Sequence, residues 1–423
     1  MARQYFGTDG VRGVVGEALT DDLVERLGRA FARWTSGDSV LVGRDTRASG
    51  PALEVALASG LAGGGSSVTL GGVLPTPAVA LLADESGAVV SASHNPAEYN
   101  GVKLFRAGLK LEDTEEEAIE ALLDAGDYEG AAGSIVEAPG LGERYVELVT
   151  DRFGGPLEGL RVVVDCANGA MVEVAPAVFE RLGAVVTVIG ADPDGTNINA
   201  GCGATDLGLL SRTVAGGEFD LGVAFDGDGD RLLAVDARGA VVDGDQILAV
   251  LALNLGVDLV AVTQMTNLGF HRLMGERGIR VLTTEVGDRY VLEALRAAGG
   301  VLGGEQSGHV IYLNGHVTGD GLAAALLLCR AVVERDRPLA ELASAFERFP
   351  QVMENVSVRS KALPQAILDE AERLNAELGG RGRVLVRPSG TEPVVRVLAE
   401  AETAPEAQEL CGRIVPLVQR ELG

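Results

Sequence analysis

The 423 residues are 47% hydrophobic and include 58 glycines, enough apolar content for several packed cores and enough glycine for many tight loops, so global disorder is excluded. A formal net charge of -26 argues against nucleic acid and anionic membranes as partners. The cysteines Cys166, Cys202, Cys329 and Cys411 lie far apart with no C-x-x-C pair, which argues against a zinc ribbon or a disulfide framework; with no run of eighteen apolar residues and no leader-like start, a cytoplasmic protein of three or four domains is expected.

Near the start, Phe6-Gly7-Thr8-Asp9-Gly10-Val11-Arg12-Gly13 reads as a tight glycine loop, with Arg12 a candidate anion contact. Thr20 or Asp21 caps an amphipathic helix running to about Trp34. A strand over 39–42 ends at Gly43-Arg44-Asp45-Thr46-Arg47, the position where loops of α/β sheets bind ligands. Helix 51–62, strand 67–70, helix 77–84 and strand 87–90 continue an alternation that predicts a parallel α/β domain. The last strand delivers Ser91-Ala92-Ser93-His94-Asn95-Pro96, followed by Asn100-Gly101-Val102-Lys103. A serine beside a histidine, with a lysine close by, reads as an activated hydroxyl in a phosphate-handling loop. Neither a G-x-S-x-G elbow nor a Walker A loop is present. The plainer alternative for Ser93 is a turn cap, and His94 is read as positioning the loop. The lysines are Lys103, Lys110 and Lys361 alone; a chain that otherwise uses Arg keeps Lys where a compact donor is useful. That role is given to Lys103, and chance retention is the plainer reading of the other two.

Helices are expected over 114–123 and near 142–152, with a break at Phe153-Gly154-Gly155-Pro156. A second unit opens with a strand over 160–165, a helix over 172–182 and a strand over 184–188. Cys202 reads as structural, with no base near it in sequence. The unit ends in Asp226-Gly227-Asp228-Gly229-Asp230-Arg231, between the apolar runs 221–225 and 232–235: strand, tight loop, strand. Three carboxylates at alternate positions repel one another unless a cation sits among them, and hard oxygen ligands on a short loop suit Mg²⁺. An EF-hand begun at Asp226 fails, because its sixth and twelfth positions hold Arg231 and Ala237. A solvated acidic turn is the bland alternative, disfavoured by the apolar flanks. Arg231 beside the loop suggests that something anionic docks there.

From Gly244 a third unit follows: helix 246–255, strand 259–263, strand 280–283, Glu285-Val286-Gly287-Asp288-Arg289, and Gly304-Glu305-Gln306-Ser307-Gly308-His309. Read as an extended segment, Glu305, Ser307 and His309 share one face and suit a polyol, although an exposed edge strand is the better reading of that stretch alone. Helices over 321–334 and 339–346 come next. After Phe349-Pro350 the pattern becomes strand, helix 364–378, strand, strand, with Arg387-Pro388-Ser389-Gly390-Thr391-Glu392-Pro393 joining the last two and Arg396 following, a candidate phosphate cradle. The boundaries read as domains at 1–154, 155–243, 244–349 and 350–423.

Taken together, Ser91–Pro96, Asp226–Arg231, Gly304–His309 and Arg387–Pro393 resemble, in order and spacing, the α-D-phosphohexomutase superfamily, over Phe6 to Arg396. Gly-Glu-Gln-Ser-Gly-His, with Cys-Gly-Ala-Thr after Asn199, looks like the glucosamine branch; Glu285 stands where the family often has a basic residue. The resemblance implies an α/β fold of four domains around a central cleft: three related α/β modules with mixed sheets and a smaller C-terminal α+β domain. It implies a phosphoserine at Ser93 and one Mg²⁺ per chain held by Asp226, Asp228, Asp230 and the group on Ser93. The phosphoryl group then passes through a sugar 1,6-bisphosphate, also the activator. Lys103 and His309 are the implied acid and base, Arg12 and Arg231 the charge stabilisers. Glu305 and Ser307 grip the sugar, and Arg387, Ser389, Gly390, Thr391 and Arg396 clamp the phosphate. The implied reaction interconverts glucosamine 6-phosphate and glucosamine 1-phosphate, feeding UDP-N-acetylglucosamine and cell-wall synthesis, in a monomer or homodimer. A phosphomannomutase/phosphoglucomutase, a metal-dependent phosphatase and a non-catalytic sugar-phosphate binder are the competing readings.

Overall fold

A computed structural model describes residues 4–7, 9–126, 132–389 and 393–423. The chain divides into two compact units, Met1–Met265 with Ile279–Ala345, and Thr266–Gly278 with Phe346–Gly423. In the first unit the described residues form three sheets. The first sheet holds β1 (Val11–Val14), β2 (Val40–Arg44), β3 (Val68–Val73), β4 (Ser86–Val90), β5 (Tyr99–Arg106), β6 (Leu109–Lys110) and β7 (Ile135–Glu137), in the order β1-β5-β4-β2-β3-β7 with β6 on β5. Its helices are α1 (Asp21–Trp34), α2 (Gly50–Gly63), α3 (Thr76–Leu82), α4 (Asp113–Ala125) and α5 (Leu141–Phe153). The Thr20 side chain accepts from Leu23 N and starts α1; Val24, Leu27 and Phe31 then fall on one face and bury against the core with Leu53, Leu57 and Leu61 of α2.

The parallel domain expected here is a mixed sheet. Strands β2, β3, β4 and β7 run parallel, but β5 is antiparallel to both β4 and β1. Asn100 to Lys103, given no element from sequence, lie inside β5, where residues 100–105 are all buried. A strand buried on both faces shows no alternation, and a lysine in it further disguises the pattern.

The second sheet holds β8 (Arg161–Asp165), β9 (Val185–Ile189), β10 (Leu221–Phe225), β11 (Leu232–Asp236) and β12 (Val241–Val242), with α6 (Val174–Arg181) and α7 (Gly208–Ala215). The third holds β13 (Leu259–Thr263), β14 (Arg280–Thr284), β15 (Leu302–Gly304) and β16 (Val310–Tyr312). It is served by α8 (Gly244–Leu255), α10 (Asp288–Ala298), α11 (Gly321–Arg335) and α12 (Leu339–Ala343), whereas α9 (Leu268–Glu276) belongs to the second unit. The three sheets share a pattern of strand neighbours: β5-β4-β2-β3, β11-β10-β8-β9 and β16-β15-β13-β14. In each, the second strand turns back into an antiparallel partner, and the connections are residues 91–98, 226–231 and 305–309.

The last connection is a turn rather than an extended segment. Gly308, at φ +94°, reverses the chain; Gly308 N donates to Glu305 O at 3.0 Å and Glu305 N to His309 O at 2.9 Å. Glu305, Ser307 and His309 therefore do not alternate along a strand, and the shared face inferred from alternation is corrected.

The second unit pairs β17 (Gln351–Ser357), β18 (Gly382–Pro388) and β19 (Val394–Ala401) antiparallel, in the order β17-β19-β18, under α13 (Gln365–Leu378) and α14 (Ala404–Leu422). Ile367, Leu374, Val395, Val397, Ile414 and Val418 form its core. Helix α9 joins it through Asn267, whose Oδ1 accepts from Phe349 N, and through Arg272, which donates to Gly380 O. This unit is smaller and α+β, whereas the first unit holds the three mixed α/β sheets. No helix of the described residues is long and apolar enough to cross a membrane.

Candidate active site

Ser93 follows β4 with its backbone in the left-handed region, φ +52°, a conformation that costs a non-glycine residue about 1–3 kcal/mol. The surroundings hold it there. Ser93 N donates to Ser91 Oγ, and Ser91 Oγ donates to Asp45 Oδ2. Arg47 has no exposed surface; its Nε meets Asp45 Oδ2 at 2.9 Å, and its two terminal nitrogens donate to the carbonyls of Ser93, Asn95, Pro96 and Tyr99. Asn199, itself at φ +59°, donates from the second module to the same Ser93 carbonyl at 2.9 Å. The Ser93 hydroxyl donates to Asp226 Oδ2 at 2.5 Å and lies 3.2 Å from His94 Nδ1. Burial, then the nearby Arg231 and Arg12, push the His94 pKa down to about 4, so its ring is neutral at pH 7.

Asp226, Asp228 and Asp230 occupy the loop between β10 and β11, all buried, with one oxygen from each lying within 4.8 Å of the others. Two glycines make the loop possible. Gly229 has φ +74°, and a Cβ on Gly227 would sit 2.6 Å from the Ser93 carbonyl. Thr76 donates its hydroxyl to Asp228 Oδ2. Asp228 Oδ1 and Asp230 Oδ1 are buried without a hydrogen-bond partner. Burial, then the charges of Asp230 and Asp228, push Asp226 up to about 8. Buried, carboxylate-only and mutually repelling, the trio fits a small hard divalent cation, and its two unpartnered oxygens are where such an ion finds ligands.

Cations ring the trio. Lys103, on β5 and 2% exposed, places Nζ 2.7 Å from Asp228 Oδ2, 2.8 Å from Asp230 Oδ2 and 2.9 Å from Asp9 Oδ2. Burial works against its charge, but Asp228, Asp230 and Asp9 outweigh it and hold the ammonium well above the usual lysine range. Arg12, on β1, pairs with Asp9. Arg231 approaches Asp230 at 3.9 Å; burial opposes its charge, and Asp226, Asp230 and Glu305 favour it. His309 lies with Nε2 3.1 Å from Asp288 Oδ2 and Nδ1 3.8 Å from Asp230 Oδ1. Burial opposes its charge as well, yet the two carboxylates, Asp288 foremost, raise its pKa to about 10. Glu305 Oε1 accepts from Gly287 N, and its Oε2 accepts from the exposed Ser307 hydroxyl.

The first unit thus brings together Ser93, the three aspartates, Lys103, Arg12, Arg231 and His309, with Glu305 and Ser307 on the adjoining turn. Arg387, Ser389 and Arg396 belong to the second unit, where Arg387 and Arg396 stand directly opposite on β18 and β19. Ser389 is buried, and its carbonyl accepts from Lys361. Gly390 and Thr391 lie outside the described residues. Asp9, Arg47, Asn199, Lys110 and Asp288 also reach this machinery and were not singled out from sequence. The loop carrying Arg47 was marked as following a strand, and Asp288 sits in the Val-Gly-Asp-Arg stretch, but their partners come from distant segments. Cys202 is buried, and burial pushes its thiol up to about 11, in keeping with a structural role.

Family models described as phosphoglucomutase/phosphomannomutase match the chain at residues 3–129 (alpha/beta/alpha domain I), 143–239 (domain II), 243–349 (domain III) and 328–417 (C-terminal domain). The chain is 48% identical to the phosphoglucosamine mutase of Pelotomaculum thermopropionicum, over 98% of each chain. It is 49% identical to that of Saccharopolyspora erythraea, over 98% of this chain and 99% of the relative. Among solved structures, a phosphoglucomutase/phosphomannomutase family protein from Burkholderia thailandensis superposes with a TM-score of 0.85 at 26% identity, over 99% of this chain and 98% of the other.

Proposed function

This chain belongs to the phosphoglucomutase/phosphomannomutase family, within the α-D-phosphohexomutases, and from that premise we propose that it interconverts glucosamine 6-phosphate and glucosamine 1-phosphate through a phosphoserine at Ser93. The observation that carries the proposal is the 2.5 Å contact between Ser93 Oγ and Asp226, which sets a phosphorylatable oxygen from one module against three buried carboxylates from another. The choice of an amino sugar draws on the names of the relatives, which are phosphoglucosamine mutases at 43–49% identity.

In the proposed cycle the bond from phosphorus to Ser93 Oγ breaks as one forms to a sugar oxygen, and the proton that the sugar hydroxyl gives up ends on the freed Ser93 Oγ. The resulting 1,6-bisphosphate turns over, and Ser93 Oγ takes the other phosphoryl group. Mg²⁺, held by Asp226, Asp228, Asp230 and an oxygen on Ser93, would neutralise charge on the phosphoryl oxygens. Lys103 Nζ and His309 both carry protons in the arrangement described; each can give one to the sugar oxygen that loses its phosphate and take one up in the reverse direction. Arg12 and Arg231 stabilise charge in transfer, Glu305 and Ser307 orient the sugar, and Arg387, Ser389, Gly390, Thr391 and Arg396 hold the phosphate that is not reacting. The same reading includes domains at 1–154, 155–243, 244–349 and 350–423, a monomer or homodimer, and a cytoplasmic setting, with which four free buried cysteines agree.

Intact-mass analysis before and after mild phosphatase, with peptide mapping, tests the phosphoserine: the expected result is a removable phosphate on Ser93. Turnover of glucosamine 1-phosphate is expected to exceed that of glucose and mannose 1-phosphates, and Ser93→Ala to abolish it. Isomerase activity undiminished in Ser93→Ala would overturn the mechanism.

A further inference from the structure

Lys110 forms no part of the mechanism above, yet its side chain is only 6% exposed. It lies on β6, the two-residue strand that turns back on β5, and its ammonium engages two carboxylates. Nζ is 2.7 Å from Asp9 Oδ1 and forms an ion pair with Asp288 Oδ2. Each of those carboxylates also holds one of the two proton-carrying groups. Asp9 Oδ2 is 2.9 Å from Lys103 Nζ, and Asp288 Oδ2 is 3.1 Å from His309 Nε2. Both proton carriers then meet at Asp230, Lys103 at 2.8 Å and His309 at 3.8 Å. The result is a closed ring, Asp230–Lys103–Asp9–Lys110–Asp288–His309, in which acidic and basic groups alternate.

The ring draws on all three sheet modules of the first unit: Asp9, Lys103 and Lys110 from the first, Asp230 from the second, Asp288 and His309 from the third. Lys110 stands opposite Asp230 in it. We propose that Lys110 is a positioning residue, whose buried ammonium crosslinks Asp9 and Asp288 and through them fixes Lys103 and His309 for proton exchange with the sugar. The proposal rests on the reading of Lys103 and His309 given above. The chemistry requires a cation at this place. Without it two mostly buried carboxylates face each other with no cation between them, and either turns to find another partner, taking its lysine or histidine along. A flexible four-carbon stem with a compact charge fits a site enclosed by two carboxylates from different modules.

The test compares Lys110→Met, Lys110→Arg and the doubly neutral Lys110→Met/Asp288→Asn with the parent, in Mg²⁺ with added glucose 1,6-bisphosphate and glucosamine 1-phosphate as substrate. Lys110→Met is expected to lower kcat about 100-fold, the upper end for losing a group that orients a reacting one, with KM changed by less than about threefold. Lys110→Arg is expected to recover activity to within about tenfold of the parent. In the double variant the loss in kcat is expected to equal or exceed that of Lys110→Met, because Asp288→Asn also removes the carboxylate nearest His309 Nε2. A kcat unchanged in Lys110→Met alongside a lowered melting temperature makes the residue purely structural and overturns the proposal, as does a rise in KM with kcat intact. If Lys110→Met does not fold, the proposal stands or falls on the arginine and double variants. A parent that isomerises none of the three sugar phosphates defeats the functional reading instead. The positioning claim is then decided by the crystal structure of Lys110→Met in Mg²⁺, or of Lys110→Gln where the methionine variant does not fold, with Asp288 intact in both: a displaced Lys103 or His309 side chain supports it, and both side chains unmoved sink it.

Discussion

At the scale of single residues, the serine loop is held by a guanidinium. Arg47 meets four backbone carbonyls and one carboxylate with a rigid planar fork, which an ammonium cannot imitate. Arg47→Lys is therefore expected to lose at least tenfold in kcat, and Arg47→Met about 100-fold, with Mg²⁺ affinity little changed; steady-state kinetics and a Mg²⁺ titration check both. The carboxylate trio leads to a second expectation. Burial and its two neighbours raise Asp226 to about 8, so without a cation this loop is under electrostatic stress. Added Mg²⁺ should raise the melting temperature of the parent, by about 2.7 kcal/mol of stability at one hundred times its Kd, and EDTA should reverse the rise. Asp226→Asn should abolish that response while leaving the EDTA-treated melting temperature at or above the parent's. Thermal melts with and without Mg²⁺ measure it.

At the scale of elements, each site loop is the connection of a hairpin in one of three alike sheets, and the loops touch where their backbones allow. Gly227→Ala pushes a methyl against the Ser93 carbonyl, which Arg47 and Asn199 already fix, and is expected to cost several-fold in kcat and about 1–3 kcal/mol of stability, read by kinetics and urea melts. Capping is simpler: Thr20→Ala should cost about 1 kcal/mol, measured by the same melts. Helices α1 and α11 and strands β10, β11 and β13 were legible because periodicity, caps and apolar runs are local signals. Strand β5 was not, because burial on both faces erases alternation, and the turn at 305–309 was misread because Gly308 reverses a segment that otherwise looks extended. Helices α7, α9, α10 and α14 went unnamed; α7 and α10 have no side-chain cap, and α14 carries Pro416 inside it. The acidic loop and Ser93 could be read because their chemistry is contiguous. Asp9, Lys110 and Asp288 could not, because each acts through a partner that only the fold brings near.

At the scale of the whole molecule, acid should unfold the chain through specific carboxylates. Burial opposes ionisation of Asp288, but Lys110 and His309 outweigh it and hold the acid below its ordinary range. Asp236 is likewise held down: partial burial raises it, and donations from Ala240 N and the Arg238 side chain and backbone lower it further. A folded pKa below the unfolded value of about 3.9 means stability that is full above about pH 4 and is lost as pH falls through the folded value. Urea midpoints should thus owe nothing to these two groups between pH 7 and 5 and should drop below about pH 4, with Asp236→Asn shallower in that acid limb.

Helix α9 is the feature with the widest practical reach. It is encoded amid the third module, yet its contacts, from Asn267 to Phe349 and from Arg272 to Gly380, lie with the final segment. A chimera that exchanged the carboxyl-terminal part between two relatives at a single crossover would mate a foreign sheet with a native helix. Swapping 266–278 together with 346–423 keeps those partners matched, and that two-piece graft is the one a recombination library should contain.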